Sequence, residues 1–509
     1  MDTTTGPHAG RTDPAAPRAG RGEWTAFAVL MLPLLLVSMD VSILYFAIPS
    51  ISEDLRPSST QQLWILDMYG FVLAGLLITM GALGDRIGRR RLVLAGAAVF
   101  GLASLAAAYA GSPQLLIAAR ALLGVGGAAL MPATLALIRN LFRDERQRAK
   151  AVTAWTGVMT VGISFGPVVS GALLEHFWWG SVFLVNLPAM LLLLILAPLL
   201  LPEVTQPVAG RFDWPSAVLS LAGLLPVIQG IKQLARDGVG LASVVSLLCG
   251  LALLCVFVRR QSRLAHPLVD LELLRRRTYG GAVLANLLAI AATVGMAVFL
   301  TQYLQTVLGQ SPLRAALWSL VPAVGAFVGA PCGAALARRH DRGSVMAAGF
   351  ALSACGFLAL TRVRTDSALW FTLTACAVYT CGLVAAMSLA NELALGAAPP
   401  ERAGSAAAVL EAGQELGGAL GMAVLGSVGA AVYRHGMSGA PAPARETLGA
   451  AVALARGDVG LASSAYAAFT RGLDGVAWGA AGLMVGAGVS AWLLLRERRV
   501  GVGVGAGVG

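Results

Sequence analysis

Long, nearly unbroken apolar runs alternate along this chain with short turns rich in arginine. A helix needs about 20 mostly apolar residues to cross the hydrocarbon core of a bilayer. The sequence offers about fourteen such stretches: 25–48, 61–82, 92–111, 114–138, 150–174, 181–201, 214–235, 240–258, 280–307, 313–337, 345–361, 367–395, 403–432 and 475–496. They are rich in Leu, Ala and Gly and lack the apolar-polar alternation over about 10 residues that marks a barrel strand. They predict an all-α membrane protein.

The polar breaks group these spans as six, two and six. The expected organisation is a disordered N-terminus at 1–23, a six-helix bundle at 24–204, two additional helices at 205–258 and a basic loop at 259–278. A second six-helix bundle follows at 279–496, with a long external loop at 433–474, and 497–509 is a disordered tail. Two echoes relate the sixes. The loop GDRIGRRRLVLAG after the second helix of the first group is similar to ARRHDRGSVMAAG at the same place in the last. Gly162, Gly166 and Gly171 in one fifth helix match Gly417, Gly421 and Gly426 in the other. Repeats of this kind build two half-bundles around a central site.

Composition agrees. Of 509 residues 57% are apolar and 12% charged, with a mean hydropathy of +0.75, which leaves little chain for a soluble domain. The net charge of +11 invites a nucleic-acid reading, but its placement argues for lipid. The basic clusters Arg86 to Arg91, Arg139 to Lys150, Arg259 to Arg277 and Arg338 to Arg342 fall in alternate loops, the positive-inside bias that puts both termini in the cytoplasm. Arg120 is read as the one cation inside a span. The lysines, Lys150 and Lys232, are too few and wrongly placed for a GxxxxGK[ST] phosphate loop, so no ATP site and no cofactor are expected. The six cysteines sit singly in apolar runs as packing residues, and five scattered histidines form no HExxH, so neither a metal site nor an enzyme is expected. Trp64, Trp178 and Trp179 fall at predicted span ends, where aromatic residues belt the membrane interface.

Acids inside spans carry the chemistry, because each costs about 2.5–3.5 kcal/mol at mid-membrane. Asp40 lies within the first helix in MDVSILYFAIP. Glu411 and Glu415 lie in the thirteenth in LEAGQELGGALG, where a separation of four sets both on one face. Asp67 and Glu392 sit nearer span ends. A carboxyl group in a water-reachable cavity can hold either a proton or an organic cation, and that competition couples proton entry to substrate exit. The alternative is that these acids bond neighbouring helices and only fix packing. Arg120 needs an acidic or carbonyl partner, either in a proton relay or in a structural pair. Gln302, Tyr303 and Gln305, at the outer end of the ninth helix, either line a substrate path or anchor the interface. Gly162, Gly166, Pro167 and Gly171 permit close approach and a bend in the fifth helix.

These motifs resemble the fourteen-helix drug:proton antiporters of the major facilitator superfamily, of the quaternary-ammonium and antibiotic exporter type, from about Trp24 to Leu495. GALGDRIGRRRLVL is similar to the signature loop after the second helix. The resemblance implies that Gly81, Asp85, Arg86, Gly88, Arg89 and Arg90 form a conformational latch. It further implies that Asp40, Arg120, Glu411 and Glu415 serve proton coupling and substrate, and that the Gly-Pro stretch is the antiporter motif. The implied fold is a major facilitator fold of two six-helix bundles plus two additional transmembrane helices, acting as a monomer on small molecules and protons. Where relatives carry Trp-Arg-Trp after the fifth helix, this chain has Phe177, Trp178, Trp179 and Gly180. A metabolite exporter or importer of the same fold, and a non-transporting sensor, are the alternatives.

Overall fold

The computed structural model describes residues 19–142, 144–203, 213–264, 271–397, 403–455 and 458–495. The expectations for 1–18 and 496–509 lie outside the described residues, as does the side chain of Asp85. No strand occurs among the described residues. Lipid offers the backbone no hydrogen-bond partner, so the apolar runs satisfy it internally as helices.

The first six spans are α1 Arg21–Leu55, α2 Ser59–Ile87, α3 Arg89–Ala108, α4 Pro113–Leu141 and α5 Glu145–His176, then α6 Ser181–Leu200. Two more follow, α7 Trp214–Asp237 and α8 Leu241–Gln261. The last six are α9 Arg277–Val307, ending in a π-turn at Tyr303–Val307, and α10 Pro312–Ala337, then α11 Arg342–Leu360, α12 Leu369–Ala397, α13 Ala403–Gly436 and α14 Val459–Leu495. Thirteen are long and apolar enough to cross a membrane. The 29-residue α2 is a fourteenth of comparable length, packed on α4 and α13. The helices outrun the apolar stretches: α1 begins inside the expected N-terminal tail. The connection after α13 spans only 437–458 rather than 433–474, and much of it is coiled into Ala442–Glu446 and Leu448–Leu454.

Starts are capped by short polar side chains that accept from exposed amides. Ser58, Ser112, Asp144, Ser311 and Asp341 each accept from the amide three residues on. Asp213 does the same for α7 and pairs with Arg260 of α8 at 2.7 Å. Burial pushes its carboxyl up, but the bonds from Ser216 and Arg260 outweigh that and hold it below the usual carboxylate range.

Packing follows a reciprocal pattern. Within the first six, α1 lies on α5; within the last six, the matching helices α9 and α13 lie on each other. Between the sixes, α2 packs on α13 and α5 on α10, so the second helix of each half meets the fifth of the other. The echoing glycines sit at these crossings. A Cβ on Gly166 would stand 2.9 Å from the Met39 carbonyl of α1, and one on Gly417 would stand 3.0 Å from Cα of Leu287 on α9. One on Gly171 would meet Cα of Leu313 on α10 at 2.7 Å, and one on Gly426 would meet the Leu63 side chain of α2 at 2.7 Å. At Gly166, Gly171 and Gly417 small residues are required because the neighbouring backbone lies against them, whereas at Gly426 the neighbour is a side chain. Helix α8 packs mainly on α7, whereas α7 seats Ile228 in a small apolar cluster with Phe71 of α2 and Ala419 and Ala423 of α13.

Polar contacts join the halves at the end opposite the chain termini. Gln305 donates to the Phe46 carbonyl at 3.3 Å, and Ser311 to Glu175 at 2.8 Å. The Ser59 amide donates to Glu446 at 3.1 Å, and Arg434 donates to the Ser59 hydroxyl at 2.7 Å.

Candidate functional site

Where α1, α2, α4, α5, α9, α12 and α13 converge, they enclose a cavity of about 600 Å³. Tyr45, Tyr69 and Trp155 supply aromatic wall. Ile163, Ile290, Val294, Leu410 and Met422 supply apolar wall, and Asp67, Arg120, Asn391, Glu411, Gln414 and Glu415 supply polar groups. A volume of this size holds a drug-sized molecule.

The charged groups divide into two kinds. Asp40 and Arg120 are both fully buried and paired, Nη1 to Oδ2. Arg120 also donates from Nε to the Ile65 carbonyl at 3.1 Å and lies over the Tyr69 ring, 4.8 Å from its centroid. Asp67 is paired as well, its Oδ2 lying 2.7 Å from the Lys232 ammonium of α7. That ammonium stands 3.9 Å over the Trp64 ring, whose Nε1 donates to Gln229 at 2.9 Å. Glu411 and Glu415, one helical turn apart on α13, are different: they are half-buried on the cavity wall with no hydrogen bond or ion pair to any described residue. Between them Gln414 donates to Asn391 of α12 at 3.3 Å. Two pairs cancel and two carboxyl groups stand uncompensated.

Several sequence expectations are corrected here. Arg120 is not the one cation within a span, because Lys232 is buried just as fully. Asp67 does lie toward the start of α2, yet α7 covers it and it is 2% exposed, so its position does not make it the weaker candidate. Trp64 and Trp179 have partners inside the protein. The first seats Lys232, and the second donates to Asp54 at 2.7 Å, while Trp178 is exposed. Lys232, Trp64 and Gln229 went unmatched in the sequence; the available signal was a lysine inside the predicted 214–235 span.

Other candidates lie away from the cavity. Glu392 pairs with Arg342 at 3.2 Å near a helix end, largely exposed. Tyr303 donates to the Arg364 carbonyl at 2.6 Å. Gln302 lines a separate pocket of about 40 Å³ with Ser59, Tyr433 and Glu446, and Gln305 joins the halves. In the basic loop, Gly88 takes a φ of 105°, open to glycine, as α2 turns into α3. Arg90 and Arg91 reach Glu203 after α6 at 3.4 and 3.7 Å, and Gly81 faces Pro132 of α4.

The two six-helix halves meet second helix to fifth around a central cavity, and residues 30–422 match the family model of the Major Facilitator Superfamily. The chain belongs to the Major Facilitator Superfamily. It is a multi-pass membrane protein. Among relatives in this superfamily, it is 41% identical to "Multidrug efflux pump LfrA" of Mycolicibacterium smegmatis, over 93% of this chain and 96% of that protein. It is 36% identical to "Methyl viologen resistance protein SmvA" of Salmonella typhimurium, over 79% and 82%. A solved Major Facilitator fold, a bacterial homolog of the human lysosomal transporter Spinster in an inward-facing, unoccupied conformation, aligns with a TM-score of 0.64 at 16% identity. That alignment covers 94% of this chain and 100% of the other.

Proposed function

We propose that this chain is a secondary active exporter that exchanges protons for cationic, drug-like or antibiotic molecules across a bacterial cytoplasmic membrane. The observation that carries the reading is the pair of uncompensated carboxyl groups, Glu411 and Glu415, in an aromatic-walled cavity at the seam of the two halves. An aromatic face attracts a cation through its quadrupole, and a carboxylate supplies the opposite charge. A carboxyl group that holds the cation cannot hold a proton, so arrival of one expels the other. The pairs Asp40–Arg120 and Asp67–Lys232 keep their charges in low dielectric without competing for the same ligand.

The basic loops share the end that carries the termini, which favours a cytoplasmic placement for both. The polar contacts at Ser59, Glu175 and Gln305 then close the outer side. In this reading the loop from Gly81 to Arg90 works as the latch on the cytoplasmic side, with Asp85, Arg86 and Arg89 as its charges. The chain acts as a monomer and draws on the proton gradient alone. The names of the relatives, a multidrug efflux pump and a methyl viologen resistance protein, support this substrate class.

Everted vesicles test it. A proton gradient imposed on vesicles holding the chain drives uptake of a fluorescent organic cation, and collapse of the gradient with an ionophore releases it. Glu415→Gln keeps the protein in the membrane and abolishes the gradient-dependent part. Unchanged uptake in that variant removes Glu415 from the mechanism, and uptake blind to the gradient refutes antiport.

A further inference from the structure

The ion pair between α2 and α7 lies on the cavity wall yet takes no part in the exchange just described. Asp67 faces the cavity. Lys232 does not; it stands behind Asp67, fully buried, with its ammonium 2.7 Å from the carboxylate. Its seat is built: the Trp64 ring lies 3.9 Å beneath the ammonium, and Gln229, one turn earlier on α7, holds that ring by its Nε1. The amine comes from a helix outside the reciprocal six-helix pattern, which nonetheless reaches the seam through Ile228 against Phe71, Ala419 and Ala423.

We infer that Lys232 sets the charge preference of the cavity by occupying Asp67, a third carboxylate that a ligand would otherwise meet, and so favours monovalent over divalent organic cations. The inference rests on the cation-binding reading above. With Lys232 in place, the uncompensated carboxyl groups are Glu411 and Glu415, adjacent on one helix. A second positive centre on the ligand would find its partner on another helix at Asp67, and the tethered ammonium already fills that place. Lys232 acts through Asp67 and is a positioning residue, not a ligand.

The experiment compares two probes on the purified full chain in lipid nanodiscs at pH 8: tetraphenylphosphonium, a monovalent aromatic cation, and methyl viologen, a compact divalent one. Equilibrium dialysis gives the ratio of their dissociation constants. Lys232→Met frees Asp67 and shifts the ratio toward methyl viologen by about tenfold or more, the scale of one unit charge a few ångströms further off at intermediate dielectric. Asp67→Asn leaves the ammonium unanswered and shifts the ratio the opposite way. The double variant returns it to the wild-type value. A purely structural pair predicts that each single variant weakens both probes by the same factor, and that result overturns the inference. Should Lys232→Met fail to fold, the direction of the Asp67→Asn shift decides it alone. Wild-type protein that binds neither probe refutes the cation-binding reading itself, whereas wild-type binding with an unmoved ratio in the variants refutes only the role of Lys232.

Discussion

Removing the Arg120 guanidinium while keeping its bulk, by Arg120→Met, strands Asp40 in the bundle without a countercharge. Asp40 is 1% exposed and Arg120 equally so, so water cannot replace the lost partner. Breaking one side of a buried pair costs about 3–5 kcal/mol. The Ile65 carbonyl loses a charged donor 3.1 Å away, a bond of about 1.5–3 kcal/mol. These contributions overlap because they share one side chain, so the expected loss for Arg120→Met is about 5 kcal/mol, and for Asp40→Asn about 3 kcal/mol. The double variant Asp40→Asn/Arg120→Met removes both charges, and its loss falls short of the sum by about 2–3 kcal/mol, as coupling between contacting groups requires. The assay is reversible unfolding of the purified protein in mixed micelles by sodium dodecyl sulfate, followed by tryptophan fluorescence, for all four members of the cycle. Additivity to within about 0.5 kcal/mol would refute the pairing and with it the assignment of Asp40 as a neutralised group.

The glycine seams give a second prediction: on Gly421 a Cβ would run into the Ala291 backbone of α9, so Gly421→Ala destabilises by about 1–3 kcal/mol. Gly482→Ala, where nothing lies within 4 Å, is neutral or stabilises by up to about 1 kcal/mol; thermal melts of the two variants should therefore move in different directions. Asp213→Ala removes the α7 cap and costs about 1 kcal/mol, whereas Asp213→Asn keeps a capping oxygen and loses only the charge. Because the folded carboxyl is held below its ordinary value, its charge stabilises fully above the unfolded value of about 4 and is lost as pH falls through the folded one. The stability gap between wild type and Asp213→Asn is thus flat from pH 7 to pH 5 and closes only below about pH 4, and a gap that closes near pH 6 would contradict this.

Much of the architecture is legible in the sequence because the bilayer enforces it. A spanning helix has a minimum length, and the apolar runs reveal that each exists and roughly where, although the last begins at Val459, well before the expected 475, because its first turns are small and polar. Glu411 and Glu415 could be placed together because a spacing of four fixes their shared face whatever the helix packs against. The matching glycines were readable for a similar reason, since tight crossings admit little else. The Asp67–Lys232 pair was not. Trp64 and Gln229, which frame it, are 165 residues apart, and their meeting depends on how α7 docks, which no local period encodes. Asp67 looked shallow because the apolar run starts near residue 61, while the helix begins at Ser59 and another helix covers that face. Gln302, Tyr303 and Gln305 read as one polar group along the chain, yet the π-turn that begins at Tyr303 accompanies three different destinations for them.

The glycine crossings have a mechanical consequence. With backbone pressed on backbone at α1 against α5 and at α9 against α13, neither six-helix body has slack to absorb a local disturbance. Close-packed interiors of this kind transmit strain instead of dissipating it. In the proposed exchange, a change of charge at one carboxyl group would then be felt by an entire half as a tilt, much as a push on one spoke turns a rigid wheel, and the give would come from the seam between the two bodies.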